Sequence, residues 1–576
     1  MRVDLIVVSI IIVMTCAIPL MRSDVEYRPE TLSKFGSYEE LKTFISWGGY
    51  YSGSYFSLLP RSSSAQLKSM NGLEYSATNV QVQGVDEADV VKTDGEYAYL
   101  VSGQNVIVAK AYPAEEAKVL SKIAFNGTPN QIFVNNDRLV VFCQDYSQSG
   151  PQTHIIVYDL SDRQDPMIVR SIDADGYYFS SRMAGEYIYA IIQKPAWVID
   201  DQLTLPAISS NGECYEVSAS EVYHTSIDDY SYFFSTIVSF NVQTDEQEPV
   251  HETILTGGST ELYVSMQNIY LAVIHGDETI LHRIQINDGV IQHANDGLVP
   301  GNVLNQFSMD ENKGYFRIAT TSRANSLLNN LYVLNMKLEV VGKIEGIAPG
   351  ESIHSARFMG DTCYLVTFKK IDPFFVIDIS NPYEPKILGE LKIPGYSDYL
   401  HPYDENHIIG VGKETVEAEG GNFAWYQGLK IALFDVSTVS KPEQLGKYEI
   451  GDRGTDSPIL QDHKAFLFDK QKNLLVIPAS IAEINESRDP RGILPNTYGE
   501  LVWQGACVFA ISLDSEEKIM LRGTISHIED GNLYNNSNYI VRAFYIEDVL
   551  YTISESSMKM NSLVDLTEIK VLSLNG

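Results

Sequence analysis

The sequence predicts an all-β protein, a β-propeller built from four-stranded blades. Two observations support this fold class: one turn pattern recurs three times without gaps, and pairs of short apolar strands surround each copy at intervals of roughly 40 to 55 residues. The composition agrees, because 35 tyrosines and 40 glycines favour β structure over long helices. A chain of 576 residues also exceeds one ordinary hydrophobic core, as a large repeat architecture does.

The repeated turn reads Asp, one aliphatic residue, Ser, four residues and then Pro. We expect each Asp to end a buried strand and to accept hydrogen bonds from the backbone N–H groups of the turn, while Pro fixes the start of the next, outer strand. The three copies lie at residues 157–166, 376–385 and 433–442.

Nine units of four strands are counted between residues 89 and 574. Because closure of a propeller often splits one blade between the two chain ends, we expect eight blades, within a range of seven to nine. A β-helix would need shorter and more uniform coils, and a sandwich does not repeat in this way.

The N-terminal segment predicts export. Residues 5–21 carry no charged side chain, a length at the lower limit for a membrane span and slightly above a usual signal-peptide core. Residues 1–22 are therefore interpreted as a signal peptide or membrane anchor, which places the protein outside the cell or at its surface. A lipoprotein cysteine at Cys16 and a buried apolar helix are the alternatives.

The rest of the chain divides into two parts. Residues 23–77 are expected to form a short helix, which starts at a capping box of Ser37 and Glu40, and a Gly/Ser/Tyr-rich tether. Residues 78–576 are expected to form the propeller. Long insertions at 147–153, 196–232, 414–427 and 481–504 predict surface loops.

Charge and motifs exclude several functions. The formal charge of −33 argues against a nucleic-acid partner, which needs a cationic surface. The sequence has no G-x-S-x-G, no H-E-x-x-H and no phosphate-binding loop, so hydrolases and nucleotide-driven enzymes of those types lack support. Of the cysteines beyond Cys16, Cys143 and Cys363 lie in apolar runs that predict buried free thiols.

One group of residues suggests a metal site. His354, His401 and His463 each lie in the predicted innermost strand of successive units, where their imidazoles could converge at the mouth of the central channel. Histidine with nearby carboxylates, such as Asp462 and the acidic residues of 86–89, suits a divalent transition metal. The alternative is structural: each imidazole then satisfies polar groups of a neighbouring blade. No other cofactor is predicted.

Several long stretches resemble a known family. They are residues 78–95, 356–361, 389–395, 399–402 and 462–468. The resemblance, which spans about residue 38 to the C-terminus, is to exported archaeal and bacterial proteins with a C-terminal β-propeller domain, distantly related to WD-type propellers. It implies secretion and a propeller, and it implies no established activity.

Two functions follow as hypotheses. The first is a non-catalytic, monomeric scaffold that binds an extracellular protein or glycan through its loops and touches the membrane only through its N-terminal segment. In that case, deleting residues 196–232 should abolish partner capture and leave the fold intact. The alternative is a metal-assisted hydrolase or lyase that works at the channel mouth with His354, His401 and His463.

Overall fold

The computed structural model describes residues 32–47, 64–68 and 72–575, except for 148–149, 226–228, 230, 259, 324–325, 370–371, 419–420, 422, 486–493 and 530. The leader predicted at residues 1–22 and most of the predicted tether lie outside the described residues. Within the described residues, no helix has the length and apolar character needed to cross a membrane.

The predicted N-terminal helix is confirmed and spans Tyr38–Trp47. The backbone N–H of Glu40 donates to the Ser37 hydroxyl at 3.2 Å, as a capping box requires. The Glu40 carboxylate reaches one residue further than predicted and accepts from the N–H of Gly36 at 2.7 Å. The start of the helix is thus fixed by local hydrogen bonds.

The described residues form nine four-stranded antiparallel sheets that follow one another along the chain, and we number them 1 to 9. Their strands are, for sheet 1, Val91–Thr93, Tyr97–Ser102, Asn105–Lys110 and Lys118–Ala124; sheet 2, Thr128–Asn135, Arg138–Ser147, Gly150–Asp159 and Met167–Asp175; sheet 3, Tyr177–Ala184, Tyr187–Pro195, Tyr232–Asn241 and Val250–Gly257; sheet 4, Thr260–Val264, Asn268–His275, Glu278–Asn287 and Val290–Pro300; sheet 5, Asn302–Val303 with Met309–Asn312 as one interrupted strand, Tyr315–Ser322, Leu328–Asn335 and Val340–Ile347; sheet 6, Ser352–Met359, Thr362–Phe368, Asp372–Asp378 and Lys386–Ile393; sheet 7, Tyr396–Asp404, His407–Glu417, Ala424–Asp435 and Glu443–Ile450; sheet 8, Leu467–Asp469, Leu474–Glu483, Glu500–Ile511 and Ile519–Ile525; sheet 9, Arg542–Ile546, Val549–Ile553, Ser557–Ser562 and Glu568–Ser573.

Shorter elements extend this framework. Additional strands are Ser33–Lys34, Ser64–Lys68, Glu74–Asn79, Val85–Glu87, Val198–Ile199, Gln202–Leu203, Ala207–Ser210, Glu213–Glu216 and Val222–His224. Single 3-10 turns are Ala114–Glu116, Ala219–Glu221, Gln306–Ser308, Pro458–Leu460, His463–Ala465 and Asn536–Asn538.

Hydrophobic clusters join each sheet to the next and close the ring. Sheets 1 to 9 are linked in order by eight clusters of buried side chains, and a ninth packs Tyr551 and Met558 of sheet 9 against Leu100 and Ile107 of sheet 1. Each sheet is thus covered on both faces by its neighbours, as in a propeller. The predicted all-β propeller of four-stranded blades is confirmed.

The number of sheets equals the nine units counted in the sequence and lies within the predicted range of seven to nine. The preferred count of eight assumed that the two end units share one blade. Here sheet 9 supplies four strands of its own, and the early strand Glu74–Asn79 adds to the inner side of Arg542–Ile546. The N-terminal strand therefore extends the last sheet and does not complete it.

Burial follows position within a sheet. All ten residues of Tyr232–Asn241, the third strand of sheet 3, are buried, because neighbouring sheets cover both of its faces. The fourth strand of sheet 6, Lys386–Ile393, is largely exposed, with Gly389 buried among exposed or half-buried neighbours. The core therefore consists of the inner and middle strands, and the outer strands form the rim.

The repeated turn has its predicted structure. The carboxylates of Asp159, Asp378 and Asp435 end the third strands of sheets 2, 6 and 7 and accept from the backbone N–H two residues later, at 2.7, 2.8 and 2.8 Å. The turn of sheet 7 also packs on the outer strand of sheet 6. A Cβ added to Gly389 there would lie 2.0 Å from the carbonyl oxygen of Val439, so this contact requires glycine.

Candidate functional site

The ring has two distinct faces. The four strands of each sheet alternate in direction between the two faces of the ring. The connection between the second and third strands therefore lies on the face where the first strand begins. The turns between strands one and two, and between strands three and four, lie on the opposite face. The insertions predicted at 147–153, 196–232, 414–427 and 481–504 all join a second strand to a third. We name their face the insertion face, and the face that carries the Asp-x-Ser turns the turn face.

The longest insertion is a folded part of the core. Leu203, Val217 and Val222 from residues 196–232 pack with Phe35 and Leu41 of the N-terminal segment into one buried cluster. The Tyr38 hydroxyl donates to the carbonyl oxygen of Leu203 at 2.9 Å. Deleting this insertion would expose the cluster, so the expectation that the fold survives this deletion is at odds with the packing.

Residues 74–90 run along the inner side of the ring, and we call this segment the plug. It touches the inner side of several sheets by specific hydrogen bonds: the N–H of Tyr545 donates to Ser76 Oγ at 2.9 Å, Asn79 Nδ2 donates to the carbonyl oxygen of His463 at 2.7 Å, and Gln81 Nε2 donates to that of Gln306 at 2.9 Å. The plug therefore crosses the ring between sheets 9, 8 and 5.

The acidic residues of the plug are held by cations. Lys92 Nζ lies 2.8 Å from Asp86 Oδ1, Arg182 Nε lies 3.4 Å from Glu87 Oε1, and Arg542 Nη2 lies 2.9 Å from Asp89 Oδ1. Arg542 also binds Asp462. Burial alone would raise the pKa of Asp462, but the charges of Arg542 and Lys464 lower it. These carboxylates serve ion pairs across the channel.

Two of the three predicted histidines lie in an aromatic interior. His401 and His463 are buried beside Tyr399, whose hydroxyl lies 3.0 Å from His401 Nδ1. The His463 ring centroid is 6.1 Å from that of Tyr399 and 5.5 Å from that of Phe307. Burial, and then the charge of Arg357, hold the pKa of His401 well below its usual value, so this imidazole is neutral.

His354 lies apart from them at the mouth of the insertion face. Its Nδ1 is 3.6 Å from Asp398 Oδ1, and its ring packs on Tyr396 with centroids 4.5 Å apart. Among the described residues, no group of three or more His, Cys, Asp or Glu side chains is placed to hold a metal ion. The predicted set of His354, His401 and His463 is thus not assembled, because blade packing buries two of the rings.

A cavity of about 540 Å³ opens at this mouth. Its polar lining combines both charges and neutral groups: His354, Asp398, Lys413, Asp456, Gln461 and the ring of Tyr396. Lys413 Nζ donates to the carbonyl oxygen of Thr455 and lies 3.1 Å from Asp456 Oδ1. Hydrogen-bond donors and acceptors are therefore fixed in place at the mouth.

Next to this cavity, two insertions meet in an aromatic platform, which we define as Phe423, Trp425, Tyr426, Arg453 and Tyr498. The Arg453 guanidinium lies 5.0, 4.2 and 4.4 Å from the ring centroids of Trp425, Tyr426 and Tyr498. The two tyrosine hydroxyls are 2.5 Å apart. The hydrogen bonds from Tyr426 and Arg453 lower the pKa of Tyr498.

The platform is exposed, and contacts among its members hold it together. Phe423 is 44% exposed and Tyr498 57% exposed, although each belongs to a packed group. A further bond, from Gln427 Nε2 to the carbonyl oxygen of Pro495 at 2.9 Å, links the two insertions. Rigid exposed aromatic rings lose little entropy on binding and are typical of recognition surfaces.

A second cleft, of about 550 Å³, opens on the turn face. Asp94, Asp137 and Arg163 line it together with Asp89 and Arg542. Arg163 Nη2 lies 3.2 Å from Asp94 Oδ2 and 3.3 Å from Asp137 Oδ1. The charges that line this cleft are paired with one another, so these ion pairs stabilise the ring.

The cysteine prediction is confirmed for the interior. Cys143 and Cys363 are buried free thiols, and so is Cys507, whereas Cys214 is exposed. Burial raises the pKa of Cys143 to about 11 and that of Cys507 to about 12. None of these three buried thiols is a reactive thiolate at neutral pH.

Sequence reasoning missed the platform. It predicted a surface loop at 414–427 and another at 481–504, and it named no aromatic residue in either. The available signal was the spacing of Phe423, Trp425 and Tyr426 within one insertion. The role of Tyr498 depended on how two blades meet, which the sequence alone does not specify.

The comparison with protein families agrees with this architecture. The model of the beta propeller domain matches residues 75–566. The chain belongs to the beta propeller domain family. This bears out the resemblance seen in the sequence as far as it concerns the fold.

Relatives among known proteins are archaeal. An uncharacterised protein of Methanocaldococcus jannaschii is 28% identical over 572 residues, with 84% of this chain and 81% of that protein covered. An uncharacterised protein of Archaeoglobus fulgidus is 29% identical over 501 residues, with 70% and 75% covered.

Solved structures show a distant likeness. The periplasmic gluconolactonase of Pseudomonas aeruginosa has a TM-score of 0.33 at 9% identity, covering 59% of this chain and 91% of the enzyme. A putative 6-phosphogluconolactonase of Bacteroides fragilis has a TM-score of 0.30 at 11% identity, covering 59% and 90%. At these identities the likeness concerns the fold alone.

Proposed function

We propose that this propeller is a non-catalytic binding module that holds an oligosaccharide on its insertion face. The observation that carries the proposal is the aromatic platform, an exposed set of rings that two insertions fix in place. The apolar residues 5–21 support a role outside the cell, where glycans of the cell surface are the available partners.

The arrangement beside the platform favours a sugar chain over a peptide. Arg453 of the platform and Asp456 of the mouth cavity lie three residues apart in the chain, which places the rings near the polar groups of the cavity. The apolar C–H face of a sugar ring suits an exposed aromatic ring, and its hydroxyls suit fixed carboxylate, amide and ammonium groups such as Asp398, Gln461 and Lys413. A peptide partner is the competing outcome.

The same geometry argues for binding without chemistry. The predicted metal ligands are not brought together, and the carboxylates of the plug already serve ion pairs. The metal-assisted hydrolase or lyase considered from the sequence therefore gains no support from the described residues.

The test is an array of defined oligosaccharides probed with the full chain. We expect selective retention of one class of glycan, and Tyr498→Ala should weaken that retention by about tenfold, equivalent to about 1.4 kcal/mol. The matched control is Tyr383→Ala, which removes a tyrosine that is 65% exposed on the turn face.

Equal weakening by the two substitutions would remove the platform from the binding site. If no glycan is retained while a displayed peptide library yields a ligand that is lost in Tyr498→Ala, the partner is a peptide and the sugar assignment is wrong.

A further inference from the structure

The centre of the ring holds a guanidinium, that of Arg357, two of whose nitrogens find no hydrogen-bond acceptor among the described residues. Arg357 comes from Ser352–Met359, the first strand of sheet 6, and its side chain is only 7% exposed. Its guanidinium lies 5.1 Å from the ring centroid of Phe307. Within the described part of the chain, no atom accepts a hydrogen bond from the buried Nε and Nη1 of Arg357.

Other buried arginines of the ring differ in this respect. Arg182 donates to Ser180 Oγ at 2.8 Å and to Gln306 Oε1 at 3.2 Å, and Arg542 donates to Asp89 from two nitrogens. Arg317 binds Asp310, with Nε and Oδ2 2.8 Å apart. Because leaving a buried cation unpaired is costly, the environment of Arg357 calls for a counter-charge.

Two more polar groups without partners among the described residues belong to the chain neighbours of Phe307, whose ring Arg357 covers. Gln306 Nε2 and Ser308 Oγ, on either side of Phe307 in the 3-10 turn Gln306–Ser308, are buried and find no partner among the described residues. The Gln306 amide orientation is fixed, because its oxygen accepts from Arg182. The Arg357 guanidinium, Gln306 Nε2 and Ser308 Oγ can all donate hydrogen bonds, so together they suit a hydrogen-bond acceptor.

Among the described residues, no carboxylate accepts a hydrogen bond from Nε or Nη1 of Arg357. Asp310, the acidic group whose field reaches it, is engaged by Arg317. Glu87 lies beside Arg182, with Oε1 3.4 Å from Nε. A water molecule would satisfy the donors but leave the charge unbalanced, whereas an anion does both.

We propose that Arg357, Gln306 and Ser308 bind a small inorganic anion of the halide class inside the ring. The size follows from enclosure: Arg357 lines neither the mouth cavity nor the turn-face cleft, and Gln81 of the plug is bonded to the carbonyl oxygen of Gln306. The bound anion would join sheet 6 to the turn that carries the plug contact. This inference is independent of the glycan proposal.

The direct test is crystallisation of the full chain with bromide in place of chloride. We expect an anomalous difference peak within hydrogen-bonding distance of Arg357 Nη1 and Ser308 Oγ. Bromide sites only elsewhere on the molecule, with water or no density at this position, would overturn the proposal. This measurement needs no variant, so it holds even if substitutions impair folding.

A second test follows stability in solution. At constant ionic strength, replacing bulky gluconate by chloride should raise the Tm of the unsubstituted chain in a saturable way, because a ligand of the folded state stabilises it. Arg357→Met should lose this chloride dependence. The matched control Lys313→Met, which removes a cation that is 67% exposed, should keep it. The same chloride dependence in all three proteins would contradict the site.

Discussion

The turn face and the insertion face of this ring are built on different principles. On the turn face, three sheets share one short turn, in which an Asp carboxylate accepts a hydrogen bond from the backbone N–H two residues later, at 2.7 to 2.8 Å. On the insertion face, the corresponding connections differ from sheet to sheet and carry exposed aromatic rings. Repetition therefore marks the face that holds the ring together, and variation marks the face that we propose for recognition.

The two cavities follow the same division. The turn-face cleft is lined by charges that pair across the channel, such as Arg542 with Asp89. The mouth cavity on the insertion face lies near the aromatic platform, of which Phe423, Tyr426 and Tyr498 are exposed. Substitutions on the turn face should accordingly affect stability, and substitutions on the insertion face should affect binding.

The largest effect is expected for Arg542→Met. This change leaves the carboxylates of Asp89 and Asp462 buried without the cation that holds both of them, and such a loss costs about 3–5 kcal/mol. Urea denaturation followed by fluorescence measures it. A loss below about 1 kcal/mol would show that the ion pairs of the channel do not stabilise the ring.

The next effect is expected for Gly389→Ala. Its new Cβ would meet the Val439 carbonyl oxygen at 2.0 Å, so the sheet 7 turn must shift, at a cost of about 1–3 kcal/mol. The control is Gly446→Ala at the same position of sheet 7, where the nearest atom is the Lys518 Cβ at 3.0 Å. Equal destabilisation by both changes would contradict the proposed role of the turn contact.

A smaller effect is expected from the pH dependence of Asp435. Its pKa is lowered, first by the hydrogen bond from the Ser437 side chain, so its contribution is present above the unfolded pKa of about 3.9 and is lost as pH falls through the folded value. Because the carboxylate is partly solvated, we expect about 0.5 kcal/mol. Urea midpoints at pH 7 and pH 2.5 should fall less on acidification in Asp435→Asn than in the unsubstituted chain.

The smallest effect on stability is expected on the insertion face. Phe423→Ala removes a ring that is 44% exposed, and the free energy of unfolding should change by about 0.5 kcal/mol or less. Glycan retention should nevertheless fall, because the platform loses a contact surface. A stability loss comparable to that of Gly389→Ala would mean that the platform is structural. The insertion face would then contribute to stability as the turn face does, which contradicts the proposed difference between them.

Much of the fold could be predicted because it depends on interactions between residues that are close in sequence. The Asp-x-Ser turns, the helix start at Ser37 and the alternation of buried strands each depend on neighbours in sequence, and each is confirmed. The preferred count of eight blades depended instead on how the chain ends meet. There, Glu74–Asn79 adds a strand to a sheet that is already complete.

The site was harder to predict because it depends on contacts between blades. His401 lies in an inner strand, as expected, and His463 in the turn before one. Whether each imidazole faces a channel or an aromatic core is decided by rings of other sheets, Phe468 for His401 and Phe307 for His463. The plug had no signal beyond an acidic run. The platform joins residues more than 70 positions apart, Tyr426 and Tyr498.

Hydrogen exchange with and without a retained oligosaccharide tests the distinction between the two faces most directly. The account predicts protection in peptides that cover residues 396–398, 423–428 and 494–504 on the insertion face, and none in the turns at 378–385 and 435–442. Protection concentrated in those turns, with the platform unchanged, would contradict it.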